Sequence, residues 1–148
     1  EVDPYQNMIA KIFKLSKKIR FVAIISDNGK ILSSEMKSEK QSLLKQHNEE
    51  KFCNDVVKRK KMRQEFDKSL GKVRYVNVER ENITQIVTYI NSKSVFVTIE
   101  PELTVMSKEQ LISKIKKGIT IKILNESLHY LVNWCCSLEF WLSDSHAY

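Results

Sequence analysis

Glycine is scarce, with three residues in a chain of 148. They cannot form GxGxxG or GxxxxGK[ST], which excludes Rossmann dinucleotide binding and P-loop nucleotide binding. Cysteine is equally sparse. Three residues, two of them adjacent at Cys135 and Cys136, do not make a secreted disulfide framework, and no n-region, h-region or cleavage site is visible, so the expected compartment is a reducing cytoplasm. No apolar run reaches the ~18 residues of a membrane helix. The nearest, 131–142, is interrupted by Asn133, Ser137 and Glu139, so no membrane span is expected. Glu1 stands in place of an initiator methionine, and a trimmed N-terminus is expected.

What remains is ordinary globular material. Hydrophobic residues make up 42% and charged residues 29%, which fits a compact domain able to fold without disulfides or a structural metal. The net charge of +7 is uneven: residues 1–74 hold 18 basic and 10 acidic side chains, and residues 75–148 hold 7 and 8. Such a field attracts nucleic acid, anionic lipid or acidic protein, or serves only to keep the chain dispersed.

Asp3-Pro4 is a helix-start pair, and Tyr5, Met8, Ile9, Ile12 and Phe13 recur at helical spacing, predicting a helix from 4 to about 17. Residues 19–26 are β-branched and apolar on both faces apart from Arg20, as in an interior strand. Asp27-Asn28-Gly29 then turns the chain into a second strand over 30–36. The longest helix is expected over 48–70, from an Asn48 cap to Gly71, with Phe52, Val56, Met62, Phe66 and Leu70 forming its core-facing stripe. Three strands follow over 73–79, 83–90 and 94–100, ended by Pro101. A capping box at Ser107-Lys108-Glu109-Gln110 opens a helix that closes near Gly118. The fold class is therefore α/β of the α+β type, a five-stranded, mostly antiparallel sheet in the order α-β-β-α-β-β-β-α. Residues 1–118 form the domain. Residues 119–148, with both tryptophans and one lysine, read as an apolar helical segment, a helix over 126–140 being the first choice.

This order, with the hairpin Phe21-Val22-Ala23-Ile24-Ile25-Ser26-Asp27-Asn28-Gly29-Lys30-Ile31-Leu32-Ser33-Ser34, resembles the roadblock/LC7 and profilin-like domains. Three runs resemble those of a family of small proteins from ammonia-oxidising archaea: residues 18–22 (Lys-Ile-Arg-Phe-Val), the basic helix over 58–63, and 97–102 (Val-Thr-Ile-Glu-Pro-Glu). The resemblance covers about 4–118 and implies a sheet order of 2-1-5-4-3, with strands 19–26 and 94–100 inside. It also implies homodimerisation through the third strand and the central helix, with a small GTPase or another signalling protein as partner by analogy.

Arg59 and Arg63 project into the middle of the predicted core stripe, where an unpaired guanidinium is too costly to keep. Either they form an anion or acidic-partner site, with Lys58, Lys60 and Lys61 adding field, or they reach water or pair with acids such as Glu65 or Glu79. The strand over 73–79 is the expected sheet edge, and Val73, Tyr75 and Asn77 are its candidate dimer residues. Nucleic-acid binding by the basic helix is a further alternative, without an RNP-like motif to support it. His129, Cys135, Cys136 and His146 lack the spacing of a zinc site. No nucleophile elbow, paired carboxylate or Cys/His pair with an orienting group is present. No enzyme, catalytic residue, metal or cofactor is expected. The leading reading is a non-enzymatic interaction or regulatory module, with small-ligand or anion sensing and nucleic-acid binding as alternatives.

Overall fold

In a computed structural model of the protein, the described residues are 3–44, 46–119 and 128, without the side chains of Gln46 and His47. Two compact units divide the chain, Glu1–Ile115 and Lys116–Tyr148. The first holds α1 (Pro4–Phe13), β1 (Ile19–Ile25), β2 (Ile31–Met36), α2 (Gln46–Gln64), α3 (Asp67–Leu70), β3 (Val76–Glu79), β4 (Thr84–Ile90) and β5 (Lys93–Ile99). A further helix, α4, begins at 105 and continues through 115. The proposed tail helix over 126–140 and the residues weighed for zinc lie outside the described residues.

All strand pairs are antiparallel, and the sheet order is β2-β1-β5-β4-β3. β5 is the middle strand with β1 beside it, so the two most apolar strands are interior and β2 and β3 are edges. Strand alternation divides their side chains between two faces. On one face, registered rows cross the sheet: Ser34, Ala23, Phe96, Val87 and Val76, and next to it Met36, Phe21, Thr98, Gln85 and Val78. α2 covers this face with Cys53, Val56 and Val57. Val22, Ile24, Ile86, Val95 and Val97 point the other way and are also fully buried. α1 packs against β1 and β2 with Met8, Ile9 and Ile12 inward, and α4 buries Leu111, Ile112 and Ile115.

The local signals act as physical chemistry requires. Asp3 caps α1, its carboxylate accepting from the Tyr5 N–H at 3.0 Å, while Pro4 occupies the first helical position. Gly29 turns β1 into β2 at a φ of +87°, and a Cβ there would lie 2.2 Å from Asn54 Oδ1 and 3.2 Å from Asn54 Cα. The hairpin glycine thus supplies both a left-handed turn and room for α2.

Four expectations need correction. The predicted helix over 48–70 is two helices, because α2 ends at Gln64 and α3 begins at Asp67. Its core stripe shifts accordingly: Met62, Phe66 and Leu70 are 64%, 59% and 81% exposed. The edge strand starts at Val76, so Val73 and Tyr75 precede it and Asn77 alone of the three lies in it. α4 is capped by Thr104, whose Oγ1 accepts from the Ser107 N–H at 3.2 Å, rather than by Ser107 itself.

Candidate functional site

The last two turns of α2 carry the five basic residues singled out from the sequence, and the helix distributes them in three directions. Arg59 and Arg63, four residues apart, share the flank of α2 that overlooks β3 and β4. Lys58 and Lys61 are exposed elsewhere on the helix, Lys58 Nζ lying 3.9 Å from Asp55 Oδ1. Lys60 faces the sheet and is 7% exposed. Its ammonium lies 3.3 Å from Asp27 Oδ1, donates to the Ser92 carbonyl and sits 5.4 Å from the centre of the Tyr89 ring. One lysine therefore ties α2 to both the β1–β2 and the β4–β5 turns.

Because Asp27 stays half in water, removing Lys60 strands no buried charge. The loss is then close to that of a charge-assisted hydrogen bond plus stem packing, about 1–2 kcal/mol for Lys60→Ala. Lys60→Met, which keeps the stem, is expected to lose less than about half of that. Urea unfolding of the two variants separates packing from charge.

Between α2 and β3–β4 runs a narrow groove walled by Phe52, Val56, Val76, Val78, Val87 and Tyr89, with an enclosed volume of about 30 Å³. Arg59 and Arg63 are its charged lining residues. Neither forms an ion pair or side-chain hydrogen bond among the described residues. Burial raises the Tyr89 hydroxyl above its ordinary pKa, and the positive charge of Arg63 opposes that shift. The acids offered as internal partners are not used, since Glu79 is held by Lys108.

A second cavity, about 60 Å³, lies under the first half of α2 and the 41–44 segment, among Phe21, Met36, Leu43, Leu44, Phe52 and Cys53. Phe52, Phe96 and Gln85 line both cavities and separate them. Burial, reinforced by Glu49, pushes the Cys53 thiol up to about 11. At neutral pH it is a protonated, inert core group.

Two ion networks were not singled out in the sequence. Glu100 takes Arg20 Nη1 at 3.2 Å and Lys40 Nζ at 2.6 Å, and Arg20 also donates to the Gln41 carbonyl. This joins the end of β5, the start of β1 and the segment after β2. A lone arginine in an otherwise apolar strand was the available signal, because a half-buried guanidinium requires an acid. At the same end of the strands, on the β3 edge, Glu79 accepts from Lys108 at 2.6 Å, Asn77 at 2.9 Å and Thr84 at 2.8 Å.

Those hydrogen bonds, Lys108 first, then Asn77 and Thr84, hold the Glu79 carboxyl down at about 2. Lys40 first, then Arg20, likewise lowers Glu100, against the opposing effect of burial. A carboxyl depressed by folding stabilises the fold above its ordinary pKa, and that stabilisation disappears as pH falls through the folded value. Acid should therefore weaken the fold progressively from about pH 4.5 down to 2. Glu79 is half exposed, so its share is screened to about 1 kcal/mol. Glu79→Gln should flatten this part of the pH profile while leaving the neutral-to-pH 5 part parallel to wild type, read from urea midpoints.

A family model described as "Family of unknown function (DUF6659)" matches residues 2–122. The chain belongs to that family. Comparison of the DUF6659 chain with curated proteins finds no sequence match. Its fold does have solved counterparts. MglB of Myxococcus xanthus superposes with a TM-score of 0.64 at 16% identity, covering 84% of this chain and 99% of that one. The gliding protein MglB of Thermus thermophilus gives 0.65 at 10% identity over 80% and 90%. A roadblock/LC7 domain from Streptomyces avermitilis gives 0.58 at 12% identity over 79% and 95%. The DUF6659 chain thus has the roadblock/LC7 fold, as the element order implied.

Proposed function

We propose that this protein is a non-enzymatic interaction and regulatory module that works as a homodimer, its copies meeting along β3 and the adjoining end of α2. One observation carries the reading. β3 closes the sheet on one side, and the chain leading into it exposes Met62, Phe66 and Leu70. A sheet edge offers backbone donors and acceptors to another strand, and large exposed apolar side chains next to it add burial on association. A second copy presents the same edge and the same side chains, so a two-fold axis satisfies both at once. The wider role, contact with a signalling protein such as a small GTPase, rests on the resemblance to roadblock/LC7 domains. A free, buried Cys53 fits the cytoplasmic setting.

Sedimentation equilibrium tests the dimer. At about 50 µM the expected mass is twice that of the chain, falling toward one chain on dilution. One chain's mass throughout would remove the proposal.

A further inference from the structure

We propose that the groove between α2 and β3–β4 binds a small organic anion with an apolar body, a monocarboxylate on an aromatic or branched aliphatic frame. Two arginines and no acid line the groove, and the opposite wall is built from Val76, Val78, Val87 and the Tyr89 ring. Of the acids nearby, Asp55 pairs with Lys58 and Glu79 with Lys108, and none forms an ion pair with either arginine among the described residues. Arg59 and Arg63, without ion-pair partners among the described residues, present planar forks suited to a carboxylate.

Charge and surface together select the ligand class. Inorganic phosphate would match the guanidiniums but would shed its hydration against valines. An uncharged apolar molecule would cover the valines and leave the arginines unanswered. A carboxylate on an apolar body does both. The enclosed volume is about 30 Å³, so only part of such a ligand is engulfed, and a modest affinity, a Kd of about 1 mM, is expected. The groove is formed within one chain, but its walls adjoin the proposed seam, so binding is read on the wild type and on the single-chain variant Phe66→Glu/Leu70→Glu, and saturable binding to either supports it.

Titration of the full chain with benzoate, followed by NMR or calorimetry, tests it. Benzyl alcohol serves as the uncharged counterpart and inorganic phosphate as the anion without an apolar body. Saturable benzoate binding is expected, with both controls at least about tenfold weaker. In Arg59→Gln/Arg63→Gln, the affinity should fall by at least about tenfold while the urea midpoint stays near wild type. The proposal is overturned by no saturable benzoate binding to either species up to about 20 mM, by either control binding as tightly as benzoate, or by a folded Arg59→Gln/Arg63→Gln variant that binds unchanged. Should that variant fail to fold, the wild-type comparison of the three probes still decides.

Discussion

Phe96→Ala is expected to lower the stability of the fold by about 3–5 kcal/mol. Phe96 sits in the middle strand and is 4% exposed. Its ring lies 5.2 Å from that of Phe52 and 6.2 Å from that of Phe21, so it couples α2, β1 and β5. The transfer of a phenyl side chain out of the core accounts for about 2–3 kcal/mol. The void supplies the rest, because Phe96 lines both cavities under α2. Removing it merges them into one larger space, and each ~40 Å³ left unfilled costs about 1 kcal/mol. Urea denaturation should show a lower midpoint with an unchanged slope, the signature of lost stability without a change in the unfolded state. A loss below about 1 kcal/mol would mean that α2 collapses onto the sheet and that the partition between the cavities has no structural role.

The second large effect concerns association rather than folding. Phe66→Glu/Leu70→Glu places two carboxylates where a symmetry mate would meet the same two carboxylates. Like charges brought together at an interface cost several kcal/mol, so the dissociation constant should rise by at least about a hundredfold. Within one chain both side chains are exposed, Leu70 the more so, and substitutions of that kind change the stability of a monomer by less than about 0.5 kcal/mol. The expected result is a folded chain with a wild-type circular dichroism spectrum and a single-chain mass. An unfolded double variant would instead show that these side chains pack within their own chain.

Much of this architecture was legible because local and long-range signals agree in the sheet. The β-branched runs of β1 and β5, the Asp-Asn-Gly turn and the short breaks at 80–82 and 91–93 each point to antiparallel strands, and the order follows once the fold resemblance is accepted. The central helix is less legible for a specific reason. The spacing of its large apolar residues, Met62, Phe66 and Leu70, points inward, yet exposed apolar side chains are common, and the rule that cores are apolar does not run in reverse. The face that packs on the sheet is instead Cys53, Val56, Val57 and Lys60. That stripe contains a lysine, which no hydrophobic pattern would choose. It is tolerable only because Asp27, Ser92 and Tyr89, distant in sequence, converge on the ammonium.

The candidate site was legible to the same degree. Arg59 and Arg63 stood out as anomalies, and their shared flank follows from their i,i+4 spacing. What no spacing could show is that their neighbours across the groove come from β3 and β4. Nor could it show that Glu79, an apparent partner, is taken by Lys108 from a helix that begins more than twenty residues later. The Arg20–Glu100–Lys40 network is non-local in the same way: the β1–β5 register brings Arg20 to Glu100, and the β1–β2 pairing with the turn after it brings Lys40.

Amide hydrogen exchange over Val76–Glu79, measured on the same sample before and after dilution, bears most directly on the claim that β3 is the edge where a second copy pairs. Amides of an edge strand that point away from β4 have no partner in a single chain. At high concentration all four should be protected, and on dilution below the dissociation constant the outward-pointing ones should exchange rapidly while those bonded to β4 stay slow. Exchange that is identical at both concentrations, with the outward amides fast throughout, would contradict it.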